Sequence, residues 1–147
     1  MAQATLSPEE VREYLRDKTQ NNHLLEGEEF NNTIINLAMD LAINEFNLMA
    51  PASAYTNETF PNKAILMSGT LYKLFLGQSA LLARNTMQYS DGGITIPIEE
   101  RFQLYTQLAA MCGEDFHTSS RMVKIQINMN DLGWGQVQTD YANFPIW

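Results

Sequence analysis

The 147-residue chain is poor in the residues from which most active sites are built. It has one cysteine, Cys112. That excludes an intrachain disulfide and leaves a thiolate zinc site without its other ligands. Its two histidines, His23 and His117, stand far apart and fit no HExxH or comparable metal spacing. Neither GxxxxGK[ST] nor GxGxxG occurs, and Gly92-Gly93 lacks the long preceding strand and the lysine of a nucleotide loop. Bases are scarce as well: nine Lys and Arg against 17 Asp and Glu, for a net charge of −8. Nonspecific affinity for nucleic acid comes from cations displacing counterions, so this balance argues against a nucleic-acid binder. No apolar run reaches 18 residues, and the opening MAQATLSPEE has neither a basic start nor an apolar stretch. Neither a membrane span nor a signal peptide is expected, and a soluble protein of a reducing cytoplasm fits.

What is present is apolar and patterned. A 45% hydrophobic content, with seven Phe, six Tyr and two Trp, is enough for one sizeable core. Charge is uneven: residues 1–60 carry ten acids and three bases, a net of −7, whereas residues 61–147 carry seven and six. An acidic surface repels DNA, although a merely solvated face is the plainer account.

Four helices are expected. Ser7-Pro8-Glu9-Glu10 is a capping-box start with proline at the first helical position, and the helix should run to about Lys18 with Val11, Tyr14 and Leu15 inward. A second, from about Asn32 to Met49, carries a stripe of Ile34, Leu37, Ala38, Leu41, Ala42 and Phe46, and Pro51 ends it. Tyr55 to Phe60 reads as an extended loop because Phe60 precedes Pro61. From Asn62 to about Gln88 the chain is apolar around much of a helix, the mark of a post buried on several sides. Gly69 and Gly77 within it, beside Ser68, Thr70 and Ser79, point to a neighbouring helix packed close to the backbone. Ser90-Asp91-Gly92-Gly93 is a turn, Ile94 to Ile96 a short strand or lead-in, and Pro97 opens a fourth helix. Its expected stripe is Ile98, Phe102, Tyr105, Leu108, Ala109, Cys112 and Phe116.

Beyond Arg121 the period changes. Val123, Ile125, Ile127 and Met129 alternate with polar residues, which suits a strand able to pair between subunits. Asp131 to Trp147 has no periodicity but holds Trp134, Tyr141, Phe144 and Trp147. Aromatics in a terminal segment need a groove, on this domain or on a partner. The expected organisation is therefore mainly α: residues 1–122 form a bundle of about four helices with a long central helix. Residues 123–147 add a short strand or hairpin and an extended arm.

Candidate chemistry has plain structural explanations. Cys112 lies on the expected core stripe, Glu99 and Glu100 suit the first turn of a helix, and His117 suits a helix C-terminus. No catalytic residue, metal site or cofactor is expected.

Several phrases of the chain resemble the head-to-tail connector proteins of tailed bacteriophages, also called adaptor or neck proteins. They are Leu-Ser-Pro-Glu-Glu-Val-Arg-Glu-Tyr-Leu-Arg-Asp (6–17), Leu-Leu-Glu-Gly-Glu-Glu-Phe (24–30), Ala-Ile-Asn-Glu-Phe-Asn (42–47) and Phe-Pro-Asn-Lys (60–63). Ala-Leu-Leu-Ala-Arg-Asn (80–85), Tyr-Ser-Asp-Gly-Gly (89–93) and Gly-Trp-Gly (133–135) complete the set. The resemblance spans nearly the whole chain in structural phrases, with no catalytic signature. It implies a helical subunit made in the bacterial cytoplasm and built into the virion neck as a ring, often of twelve copies. Partners would be other copies, the portal protein and a tail-side neck or tail-terminator protein, with DNA passing through and no membrane involved. In that setting the four aromatics become an arm docking on the portal, and Glu9, Glu10, Glu13, Glu28 and Glu29 become channel-facing. The Val123 to Met129 alternation departs from the pattern, where more helix would be expected. Other readings are a tail or baseplate assembly subunit and a free acidic helical regulator that mimics DNA.

Overall fold

The computed structural model describes residues 5–22, 27–85, 90–91, 94–95 and 98–131. Its helices are α1 (Pro8–Leu15), α2 (Asn32–Leu48), α3 (Lys63–Asn85) and α4 (Ile98–Asp131), and they make the chain mainly helical. Between α3 and α4, β1 (Ser90–Asp91) pairs antiparallel with β2 (Ile94–Thr95), so Ser90 and Asp91 of the expected turn are paired, and Gly92 and Gly93 lie outside the described residues.

The expected capping box at the start of α1 is present. The Glu10 amide donates to Ser7 Oγ at 3.3 Å, and the Ser7 amide donates to Glu10 Oε2 at 3.0 Å. The helix stops at Leu15, short of Lys18, because Arg16 turns left-handed (φ 54°) and its amide closes onto Arg12 and Glu13. Leu6 and Val11 are buried while Tyr14 is exposed, so the inward face is narrower than expected. Asn57 ties this end to the α2–α3 connection by donating to the Leu6 carbonyl (2.8 Å) and accepting from its amide (3.0 Å).

In α2, Asn31 caps the Ile34 amide at 2.8 Å. The buried face is rotated by about one residue from the expected stripe. Ile35, Ala38, Met39, Ala42, Ile43 and Phe46 are inside, whereas Ile34, Leu37 and Leu41 are exposed. A helix with apolar residues on two faces cannot tell from period alone which is buried.

As expected, α3 is the central post, packed against both α2 and α4. It is the one described helix long and apolar enough to cross a bilayer, but Ile65, Leu66, Leu71, Leu74 and Phe75 are buried within the bundle. Burial accounts for its apolarity. Gly69 sits where the three helices meet: a Cβ there would lie 2.7 Å from the Phe116 ring and 3.0 Å from Ala42 Cβ. Gly77 has nothing within 4 Å of that position, so the expected close packing holds at one glycine and not at the other. Gly113 of α4 repeats the device against the Tyr72 ring.

The largest correction concerns α4. Val123, Ile125, Ile127 and Met129 form its last turns instead of a strand, and the helix runs unbroken across the boundary expected at residue 122. Helical spacing continues through Ala109, Gly113, Phe116, Ser120 and Lys124, all buried. Lys124 hides the pattern in sequence, because a charged residue occupies a core position. Its ammonium donates to the Pro51 carbonyl (2.8 Å) and to Ser53 Oγ (2.6 Å), and lies 4.5 Å from the Phe46 ring centre. Burial lowers its pKa. Leu108, expected inside, is exposed.

Two stability experiments follow from this packing. Gly69→Ala should lose about 2 kcal/mol or more through overpacking, whereas Gly77→Ala should gain about 1 kcal/mol from helix propensity; urea unfolding reads both. The buried Ser120 hydroxyl has no hydrogen-bond partner among the described residues. Ser120→Ala should therefore raise stability, by about 1 kcal/mol, and a loss of stability would show that the hydroxyl is satisfied.

Candidate partner-binding cleft

The sequence that follows α1 folds around one carboxylate. Asp17 is buried, and its oxygens accept from the Glu29 amide (2.8 Å), the Phe30 amide (2.9 Å) and Asn22 Nδ2 (2.6 Å). Burial opposes its ionisation, but these donors and nearby Arg12 outweigh it and hold the carboxyl below its ordinary value. Arg12 donates to the Phe30 carbonyl at 3.0 Å and pairs with Glu28. The α1–α2 connection is thus fixed as one wall of a cleft whose other wall is α4.

The cleft encloses about 640 Å³. Phe30 and Phe75 are apolar lining, Leu15, Leu104 and Leu108 add to it, and Asp17, Glu29, Arg101 and Tyr105 supply polar atoms. The Tyr105 hydroxyl donates to Glu29 Oε1 at 2.6 Å, and Gln78 Nε2 donates to the same oxygen at 3.0 Å. Burial, then the bond to Glu29, raises the pKa of the phenol, so Tyr105 is a neutral hydrogen-bond donor and a poor acid. An apolar hollow with a few fixed polar groups suits an inserted apolar or aromatic side chain. Asp17 is saturated with donors, which leaves it ill placed as a base.

Elsewhere the candidate groups are also engaged. His117 is mid-helix, not at a C-terminus as expected; its Nε2 lies 3.5 Å from Glu45 Oε1 and its ring meets Tyr72 edge-on. Glu45 also pairs with Lys73 at 2.5 Å, joining α2, α3 and α4. Burial, then the neighbouring Asp115, pushes the Cys112 thiol up, away from the thiolate a nucleophile needs. Among the described residues no group of three His, Cys, Asp or Glu could hold a metal ion.

Of the five acids singled out above, Glu9, Glu10, Glu13 and Glu28 are exposed, and four of the five are engaged by other side chains. Glu10 pairs with Lys63 (2.5 Å), Glu13 with Lys18 (2.6 Å) and Glu28 with Arg12, while Glu29 is taken by Tyr105 and Gln78. Lys63 and the Ser7 amide also keep the Glu10 carboxyl below its ordinary value. Glu9 is exposed. Of the residues proposed as an inter-subunit strand, Ile125 and Met129 face outward and Val123 packs against the core. Trp134, Tyr141, Phe144 and Trp147 lie outside the described residues. The cleft itself escaped sequence reading, because Asp17, Glu29 and Tyr105 meet only in the folded chain. Compared with protein-family models, curated proteins and solved structures, the chain matches none.

Asp17→Asn should destabilise the fold by about 2 kcal/mol at neutral pH, because the new amide points hydrogens at donors. A carboxyl with a lowered folded pKa stabilises fully above its unfolded value, about 3.9, and loses that contribution as pH falls through the folded value. Urea unfolding from pH 7 to pH 2 should therefore show a steeper acid loss in the parent than in the variant. Parallel curves would remove Asp17 from this role.

Proposed function

We propose that this chain is a structural virion protein that forms a ring at the neck of a tailed phage, joins the portal to the tail and lets DNA pass. The observation that supports this reading is the series of phrases from Leu6 to Gly135 that resembles connector proteins. A mainly helical bundle is compatible with it. So is a longest helix, α4, that leads directly into the aromatic residues Trp134, Tyr141, Phe144 and Trp147.

In this reading those four aromatics anchor each subunit on the portal. Aromatic anchors supply most of the energy of such contacts. A tail-side neck or tail-terminator protein binds the opposite rim. Glu9, Glu10 and Glu13 on α1 are the acids best placed to face DNA, and pairing of Glu10 and Glu13 with lysines moderates their repulsion. The DNA-mimic reading is less favoured, since it needs rows of unpaired carboxylates and four of the five acids are engaged.

Tagged chain mixed with phage proteins should capture the portal protein, and removal of residues 132–147 should lower that capture at least about tenfold. Capture of tail-tube proteins alone would replace the neck reading with a tail or baseplate one. A monomer that displaces DNA from a host protein would replace both.

A further inference from the structure

The outward face of α4 carries a pattern that the core of the described residues does not bury, although Leu104 and Leu108 also line the cleft and Asp115 accepts from the Ser68 hydroxyl of α3. Leu104, Leu108, Met111, Met122, Ile125 and Met129 are large, apolar and 42 to 69% exposed. Their spacing alternates between four and three residues once Asp115 and Thr118, both exposed, fill the central places. This is the 3.5-residue repeat of a coiled-coil seam, with 108, 115, 122 and 129 at a positions and 104, 111, 118 and 125 at d positions. The buried face of α4 consists of other residues, among them Ala109, Gly113, Phe116 and Ser120. From Leu104 to Met129 the seam extends about 38 Å at 1.5 Å per residue.

The seam is also palindromic. If a second α4 lies antiparallel across it, with a two-fold axis between Phe116 and His117, every a position meets a d position of the other copy. Leu104 then meets Met129, Leu108 meets Ile125, Met111 meets Met122, and Asp115 meets the Thr118 hydroxyl. Each layer occurs twice by symmetry, so six of eight layers are apolar and both polar layers pair an acceptor with a donor. Flanking charges agree. In antiparallel coils g positions face g positions, which sets exposed Glu114 against Arg121 of the second copy, twice. A parallel pair would put Asp115 opposite Asp115 and would lose the Glu114–Arg121 complement.

We propose that two copies of this chain associate through α4 as an antiparallel, two-fold dimer. The contact is isologous, whereas a cyclic ring closes through heterologous contacts. It is therefore an additional interface of the free chain and stands apart from the neck reading.

The test is sedimentation equilibrium of the full chain at about 1–100 µM. The expected result is a reversible dimer that Met111→Glu converts to monomer with unchanged circular dichroism. Glu114→Arg and Arg121→Glu, both at exposed positions, should each raise the dimer dissociation constant at least about tenfold. The double swap should restore it to within about threefold, because the complementary pair is rebuilt in reverse. A monomeric full chain overturns the proposal, including the case where removal of residues 132–147 releases dimerisation and so shows the seam to be covered in cis. Larger assemblies indifferent to the two charge swaps overturn it as well.

Discussion

The bundle depends on how closely α3 can approach its neighbours at Gly69. With only hydrogen there, the Phe116 ring of α4 and the Ala42 methyl of α2 reach the same point on the α3 backbone. Packed interiors tolerate few voids and little overlap, so this contact sets the spacing of three helices at once. Phe116 and Phe46 can then both be fully buried, and Leu66 and Leu74 close the core along the same post. Polar ties bracket the apolar contact. Glu45 holds Lys73 and faces His117, and the Ser68 hydroxyl donates to Asp115 at 2.6 Å.

The connections are organised differently, by single polar side chains that satisfy several backbone groups. Asn47 accepts from the Tyr55 amide and the Ser53 hydroxyl and donates to the Tyr55 carbonyl, folding the segment after α2 back over its end. That places Tyr55 and Phe60 against Phe46, with ring centres 5.8 and 4.7 Å away. Lys124 then caps the aromatic cluster from α4. Asp17 does the same work for the α1–α2 connection, so its wall of the cleft owes its shape to one buried carboxylate. Unpaired backbone groups in these loops would be costly to bury, and each hub removes several such costs at once.

Local signals in the sequence were legible where one residue type has one physical use. The Ser7–Glu10 capping box and the α2 end before Pro51 stand where their chemistry places them. Faces were less legible. In α2, Ile34, Leu37 and Leu41 compete with Ile35, Met39 and Ile43 for the same core, and only tertiary packing selects the second set. The strand expected over residues 123–129 failed for a related reason. Outward Ile125 and Met129 and inward Val123 made a period of two out of residues belonging to two different helical faces. A buried lysine at 124 concealed the core position that would have kept the helical register visible. The cleft was illegible altogether, since Glu29 and Tyr105 are distant in sequence and meet only through the fold.

Large exposed apolar side chains are concentrated on the two helices that flank α3. On α2 they are Ile34, Leu37, Leu41 and Leu48; on α4 they are the six seam residues; α3 exposes only Leu76 and Leu81. Single exposed apolar residues are ordinary, but rows along a helix are not, because each row leaves a contiguous strip in water. The inward faces explain why such rows can persist. On α4 the core contact is made by Ala109, Gly113, Phe116, Ser120 and Lys124, so the leucines and methionines of that helix are left outward. A helix such as α4, whose core contact is largely through small residues, keeps its bulky ones for a second surface. In α4 that surface follows a strict 3.5-residue spacing, which the fold of a single chain does not require.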